Sequence, residues 1–173
     1  MNNFFIAQIF GTFGIIFSVL SMQMKDKKNI MIMFIGLNIS CALNFFFLGS
    51  ITGCFINTFG AIETFINYKF DSKNKSIPIY IISIYVIVNL ILGFISYKNI
   101  IDLLPIINSL IFVTSVCAQK ESIIRKIMFV NQSIWLIFDI LTKSYTLTIC
   151  SVLTLISIII SIIRYDIKKN KVR

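Results

Sequence analysis

Few residues in this chain could do chemistry, and nearly all of them are set among apolar neighbours. The stretch GCFINTFGAIETF, Gly53 to Phe65, places Asn57 and Glu63 in a segment otherwise rich in Phe and Ile. A carboxylate there could bind a proton or a cation, or it could hold a basic neighbour in an ion pair. Ionised and facing lipid it would be unfavourable by several kcal/mol, so Glu63 must face protein or water, or be protonated. It precedes Lys69 by six residues, roughly 9 Å of helix. That depth assigns it to an inner vestibule, with Lys25 and Lys120 as candidate partners. Around it Gly53, Asn57, Gly60, Thr64 and Asn67 recur at three- and four-residue spacing. This stripe is either a helix-packing face or the wall of a cavity.

Trp135 is the single tryptophan and stands beside Asn131 and Gln132. It falls mid-helix, away from the interfaces where membrane tryptophans usually sit. There it could stack on a planar or sugar-like face, or lie in the core with its N–H bonded to a neighbour. Ser40 and Asn57 fall at similar depth, and Ser151 somewhat to the outer side. Ser40, Asn57, Trp135 and Ser151 are the expected substrate-binding set. Asp139 stands one turn from Lys143 and is expected at the solvated outer mouth, with no role in a mechanism.

Much chemistry is missing. The chain has no histidine, the commonest general base and metal ligand. Cys41, Cys54, Cys117 and Cys150 are isolated in apolar runs, with no CxxC pair, and read as small buried hydrophobes. No Gly-rich phosphate loop, Walker motif or GxSxG occurs. The expectation is no catalysis, no cofactor and no metal.

The elements that must position these residues follow from hydropathy. Of 173 residues 57% are hydrophobic and 13% charged, with a mean hydropathy of +0.90. That charge is too sparse to cover a water-soluble surface. Apolar runs recur at lengths near the roughly 20 residues that span a bilayer. The fold class expected is an all-α membrane protein, one integral domain of seven transmembrane helices. They fall at roughly 4–24, 29–49, 51–68, 77–97, 101–119, 124–142 and 145–164. The N-terminus lacks a basic region and a small-residue cleavage site, so the first run is expected to be a retained helix.

The basic residues support this count. Fourteen of the sixteen Lys and Arg fall in alternate loops and the tail, leaving Lys98 and Lys143 for the other side. The excess marks the cytoplasmic side, with the N-terminus outside and the C-terminus inside. The tail, Arg164 to Arg173, reads as a topology and headgroup anchor. This placement argues against nucleic acid as a partner.

The chain also resembles itself at an offset of 95 or 96 residues. Gln23 falls on Gln119, and Gly36, Ser40 and Asn44 fall on Asn131, Trp135 and Asp139. The organisation expected is a three-helix repeat over about 4–68, a linking helix over about 77–97, a second repeat over about 101–164 and a basic tail over 165–173. An odd linker makes the two units parallel, related by an axis along the membrane normal.

This three-one-three plan resembles the SWEET-type and PQ-loop proteins. Those bend the first helix of each unit at a proline. Here only the second unit has one, Pro105 in DLLPIINSL, which is the expected hinge; the first offers Gly11 and Gly14. There is no Pro-Gln dipeptide. FFFLGSITGCFIN (Phe45 to Asn57) and DLLPIINSL (Asp102 to Leu110) are similar to the YgjV-type bacterial inner-membrane protein family, over nearly the whole chain. That resemblance implies a multi-pass protein of the bacterial inner membrane. The SWEET likeness implies a small-molecule carrier or facilitator, facilitated or ion-coupled because no ATP motif is present. A non-transporting receptor or assembly partner is the alternative; a membrane enzyme has no residue cluster in its favour. Expected partners are the lipid bilayer, a small polar molecule and a second copy of the chain.

Overall fold

The computed structural model describes residues 3–47, 49, 51–97, 99–141 and 145–167. Lys98, Lys143, the tail beyond Ile167, the surroundings of Gly53 and the side chains of Asp102 and Asp139 lie outside the described set. Among the described residues the chain forms seven α-helices and no strand. They are α1 (Asn3–Gln23), α2 (Lys27–Phe47), α3 (Ile51–Ser72), α4 (Ile79–Ser96), α5 (Leu103–Cys117), α6 (Glu121–Leu141) and α7 (Tyr145–Ser161). A single 3-10 turn, Ile100–Asp102, precedes α5, and a widened π turn, Ile162–Ile167, follows α7.

Local chemistry sets the ends. Past α2, Gly49 takes φ 77°, and its N–H donates to Phe46 O at 3.1 Å. Past α3, Asn74 takes φ 52° while Lys75 N donates to Phe70 O at 3.0 Å and Asn74 N to Asp71 O at 2.9 Å. That is the Schellman arrangement, with Asn where glycine is commoner. Pro78 is the extended residue capping α4, so its missing N–H removes no helical bond. Most ends fall within two residues of the hydropathy reading, and two α-helical ends extend further beyond it. α3 runs on to Ser72 and α6 begins at Glu121, because polar terminal turns continue a helix beyond its apolar stretch.

Helices α1, α2 and α3 pack in sequence, as do α5, α6 and α7; α1 meets α7, and α4 lies against α5 and α3. Ser18 Oγ and Thr154 Oγ1 share a hydrogen bond of 2.9 Å across α1 and α7. Further along, Gln23 Nε2 donates to Ser157 O and Oγ at 2.8 and 2.9 Å, and Ser157 Oγ donates to Val19 O at 2.8 Å. Small polar residues let these backbones approach and bond, as they do between membrane helices.

The interior is inverted relative to a water-soluble protein. Among the described residues eighteen buried ones are polar or charged and twelve are hydrophobic, while Phe4, Ile79, Phe94 and Ile95 point outward, each more than half exposed. Lipid as solvent favours this arrangement, because apolar surface gains nothing by leaving it. Three helical stretches, Asn3–Gln23, Lys27–Phe47 and Thr148–Ile167, are long and apolar enough to cross a membrane. The α4 and α5 helices are apolar but shorter. Helices α3 and α6 are long enough, but they carry the polar residues that the fold turns inward.

Two ion pairs close the end of the bundle where α2 and α6 begin. Lys27 Nζ lies 2.9 Å from Asp71 Oδ1, joining α2 to α3. Arg125 NH1 lies 2.7 Å from Asp166 Oδ1, joining α6 to the π turn. Arg125 also donates to Met24 O at 3.1 Å and stands 5.1 Å from the Tyr165 ring centre. Inside these pairs is an apolar plug of Met22, Ile30, Phe34, Val116, Ile124, Met128 and Ile158.

Candidate functional site

Above the plug lies a cavity of about 150 Å³, walled by all seven helices. At 10–15 Å³ per water this is room for about ten waters, or for a small organic molecule. It extends away from the basic end as far as Phe45, near the end of α2, and Pro105, in the first turn of α5.

Six carboxamides reach it: Asn38, Asn57, Asn89, Asn108, Asn131 and Gln132. Several are held in place by their neighbours. Asn38 Nδ2 donates to Phe34 O at 2.9 Å, Asn131 Nδ2 to Asn108 O at 2.9 Å and Gln132 Nε2 to Ser151 Oγ at 2.8 Å. In the amide orientation that satisfies both of its ends, Asn108 donates to Asn131 O at 3.1 Å and accepts from Trp135 N at 3.2 Å. Gly60 is needed where α3 crosses α2, since a Cβ there would stand 2.8 Å from Asn38 Oδ1.

Among the described residues Glu63 is the one charged side chain on the cavity wall, and it is 1% exposed. Asn89 Nδ2, from α4, donates to its Oε1 at 2.7 Å and also to Tyr85 O at 3.0 Å. Next to this pair, Tyr85 OH donates to Asn67 Oδ1 at 3.2 Å. The expected basic partner is not found. Among the described residues both ion pairs exclude Glu63, and Lys25 lies 6.0 Å over the Tyr165 ring instead. The described lysines sit at the helix ends and turns, with the plug between them and the cavity.

Of the expected substrate-binding set, Asn57, Trp135 and Ser151 line the cavity together. The Trp135 ring packs edge-on against Phe138, with centres 5.6 Å apart. Ser40 is not on the wall. It is buried against α1, where a Cβ on Gly14 would meet Ser40 Cβ at 3.9 Å, and the next residue, Cys41, lines the cavity. One residue is about 100° around a helix, enough to turn a side chain from cavity to interface.

Pro105 also needs correction as a hinge within a continuous span. It is the third residue of α5, just after the 3-10 turn. At that position no helical hydrogen bond is lost. The stripe on α3 serves both of its readings: Gly60 packs on Asn38 and lines the cavity, whereas Asn67 bonds α4.

Asn38, Asn89 and Asn108 were missed in the sequence, where the general abundance of Asn hides them. The signal available was that each interrupts an apolar run without a charge nearby, which inside a membrane calls for a partner.

Residues 5–169 match the protein family described as Imp-YgjV, bacterial inner membrane protein. No curated protein and no solved structure matches the chain. With the match running over almost its whole length, an inverted interior and helices suited to lipid, this chain belongs to the Imp-YgjV family of bacterial inner membrane proteins.

Proposed function

We propose that this protein is a carrier for a small polar solute, built from two parallel three-helix units around the cavity, without catalytic activity. The observation that carries this reading is a repeat at an offset of 94 residues. Helix α1 ends at 23 and α5 at 117; α2 spans 27–47 and α6 121–141; α3 begins at 51 and α7 at 145. At the same offset, cavity residues fall on cavity residues: Ser18 on Phe112, Leu37 on Asn131, Asn38 on Gln132, Cys41 on Trp135, Ile56 on Cys150 and Asn57 on Ser151. The plug repeats likewise, Met22 with Val116, Ile30 with Ile124 and Phe34 with Met128. A symmetric lining with a symmetric closure at one end suits a site that opens alternately to two sides, as in SWEET-like carriers. At an offset of 94, Cys41 aligns with Trp135, where an offset of 95 aligns Ser40 with it.

A receptor or assembly partner has no comparable use for a chamber lined by six carboxamides and closed at one end by matched apolar residues. Thermal unfolding of the purified protein in detergent, run against a set of small polar solutes, tests the reading. At least one solute should raise the unfolding midpoint, since a ligand bound only to the native state stabilises it. Trp135→Ala should reduce that shift. A set broad in charge and size that leaves the midpoint unchanged would refute the carrier.

The positive-inside rule orients the carrier with the ion-paired end in the cytoplasm and the N-terminus outside. A reporter active only in the cytoplasm should work when fused after Arg173 and fail when fused after Lys98. The reverse result would invert the protein in the membrane.

A further inference from the structure

Glu63 breaks the symmetry of the cavity. Its counterpart at the 94-residue offset is Ser157, which bonds α7 to α1 and does not line the cavity. Glu63 is 1% exposed and lines the chamber, and its Oε1 accepts from Asn89 Nδ2 at 2.7 Å. Among the described residues no Lys or Arg lines the cavity. The titratable groups that face Glu63 are Tyr85 of α4 and Cys117 of α5, with Cys41 and Cys150 sharing its cavity. None of these carries a positive charge in any protonation state. Lys27 is engaged by Asp71 and Gln119, and Arg125 by Asp166.

A buried carboxylate with no counter-charge is stable only when protonated or when a cation enters beside it. From this placement we infer that Glu63 is the binding site for a small organic monocation, a primary or quaternary ammonium, which it takes up in exchange for a proton. The inference rests on the carrier reading and names its substrate class. In the empty carrier the proton sits on Oε2, while Oε1 keeps the Asn89 bond. When the ammonium enters, the O–H bond breaks and the proton leaves to water. The carboxylate and the ammonium form an ion pair, so the net charge of the loaded site equals that of the empty one. Trp135 offers an aromatic face to the cation, and where the cation is a primary ammonium the carboxamide oxygens accept its remaining N–H donors. An anion would meet the Glu63 carboxylate with no cationic side chain in the described lining to offset it, and is excluded. Release on the other side returns a proton to Oε2, so one cation exchanges for one proton.

The test uses the whole protein in detergent with ethanolamine, choline and tyramine hydrochlorides as probes, and ethylene glycol, dimethylbutanol and propylphenol as uncharged isosteres. A hydrophobic carbodiimide, which reacts with protonated membrane carboxyls, should label Glu63, and at least one ammonium should suppress the labelling several-fold while its isostere does not. In weak buffer the same ammonium should release about one proton per molecule bound, and its affinity should rise with pH, because proton and cation compete. Glu63→Gln should abolish labelling and proton release. These wild-type measurements stand even if that variant folds poorly. Stabilisation by uncharged solutes with no ammonium binding would overturn the inference and leave the carrier intact. Ammonium binding without proton release, or unchanged in Glu63→Gln, would also overturn it. If no probe of either kind binds and a broad solute set fails too, the carrier reading falls with it.

Discussion

Asp166→Asn should destabilise the folded protein by about 3 kcal/mol, the typical cost of removing one partner from a buried ion pair. Arg125 is 2% exposed, and its remaining contacts would be Met24 O at 3.1 Å and the Tyr165 ring at 5.1 Å. Neither supplies a negative charge. The pair is also incompletely satisfied, since Arg125 Nε and Asp166 Oδ2 are buried without hydrogen-bond partners among the described residues. That points to a positional role: the bridge ties the start of α6 to the turn after α7 and closes the bundle beyond the plug. Removing both charges together, as in Arg125→Met with Asp166→Leu, should therefore recover most of the loss, because no charge is then left stranded. Chemical unfolding in mixed detergent micelles measures both. An Asp166→Asn variant within about 0.5 kcal/mol of wild type, the range of an ordinary surface substitution, would show that the pair is hydrated.

The second large effect separates cavity from interface by using the same substitution twice. Asn57→Trp places a large side chain in the chamber itself. It should eliminate stabilisation by any solute that stabilises the wild type, and reduce uptake of that solute into proteoliposomes by more than about tenfold. A loss of about 1.4 kcal/mol in binding is enough for a factor of ten. The unfolding midpoint should move by only a few degrees, because the new ring occupies space that was already empty. Ser40→Trp should do the opposite. Ser40 presses on Gly14 in the contact between α1 and α2, where added volume forces the helices apart at a cost of about 2 kcal/mol. Material that still folds should keep its solute response. If both variants behaved alike, Ser40 and Asn57 would share an environment and the wall would be wrongly drawn.

Some of this was determined by the sequence alone, for a definite reason. Helix number, approximate ends and the side that gathers positive charge depend on local composition: lipid requires roughly 20 apolar residues per crossing, and lysines cluster at the turns. The runs around Ile15 and Ile35, and the loops at Lys25 to Lys28 and Lys120 to Lys126, can therefore be read without knowing what packs against what. The resemblance of DLLPIINSL and FFFLGSITGCFIN to the family could likewise be read from short segments.

Only the tertiary structure decided which polar residues meet. The sequence placed Asn57, Trp135 and Ser151 at compatible depths, but depth leaves the rotation of each helix open, and a one-residue error turns a side chain by about 100°. Ser40 fell to that error, and Cys41 stands on the wall instead. The partner of Glu63 could not be anticipated either. Charge complementarity suggested a lysine, but the described lysines are held at the helix ends beyond an apolar plug, and α4 packs beside α3 with Asn89 at hydrogen-bonding distance. Asn38, Asn89, Asn108 and Asn131 come from four helices far apart in the chain. Each alone is a polar interruption, and they become one chamber because buried polar groups in a membrane interior are stable only where helix packing brings them partners.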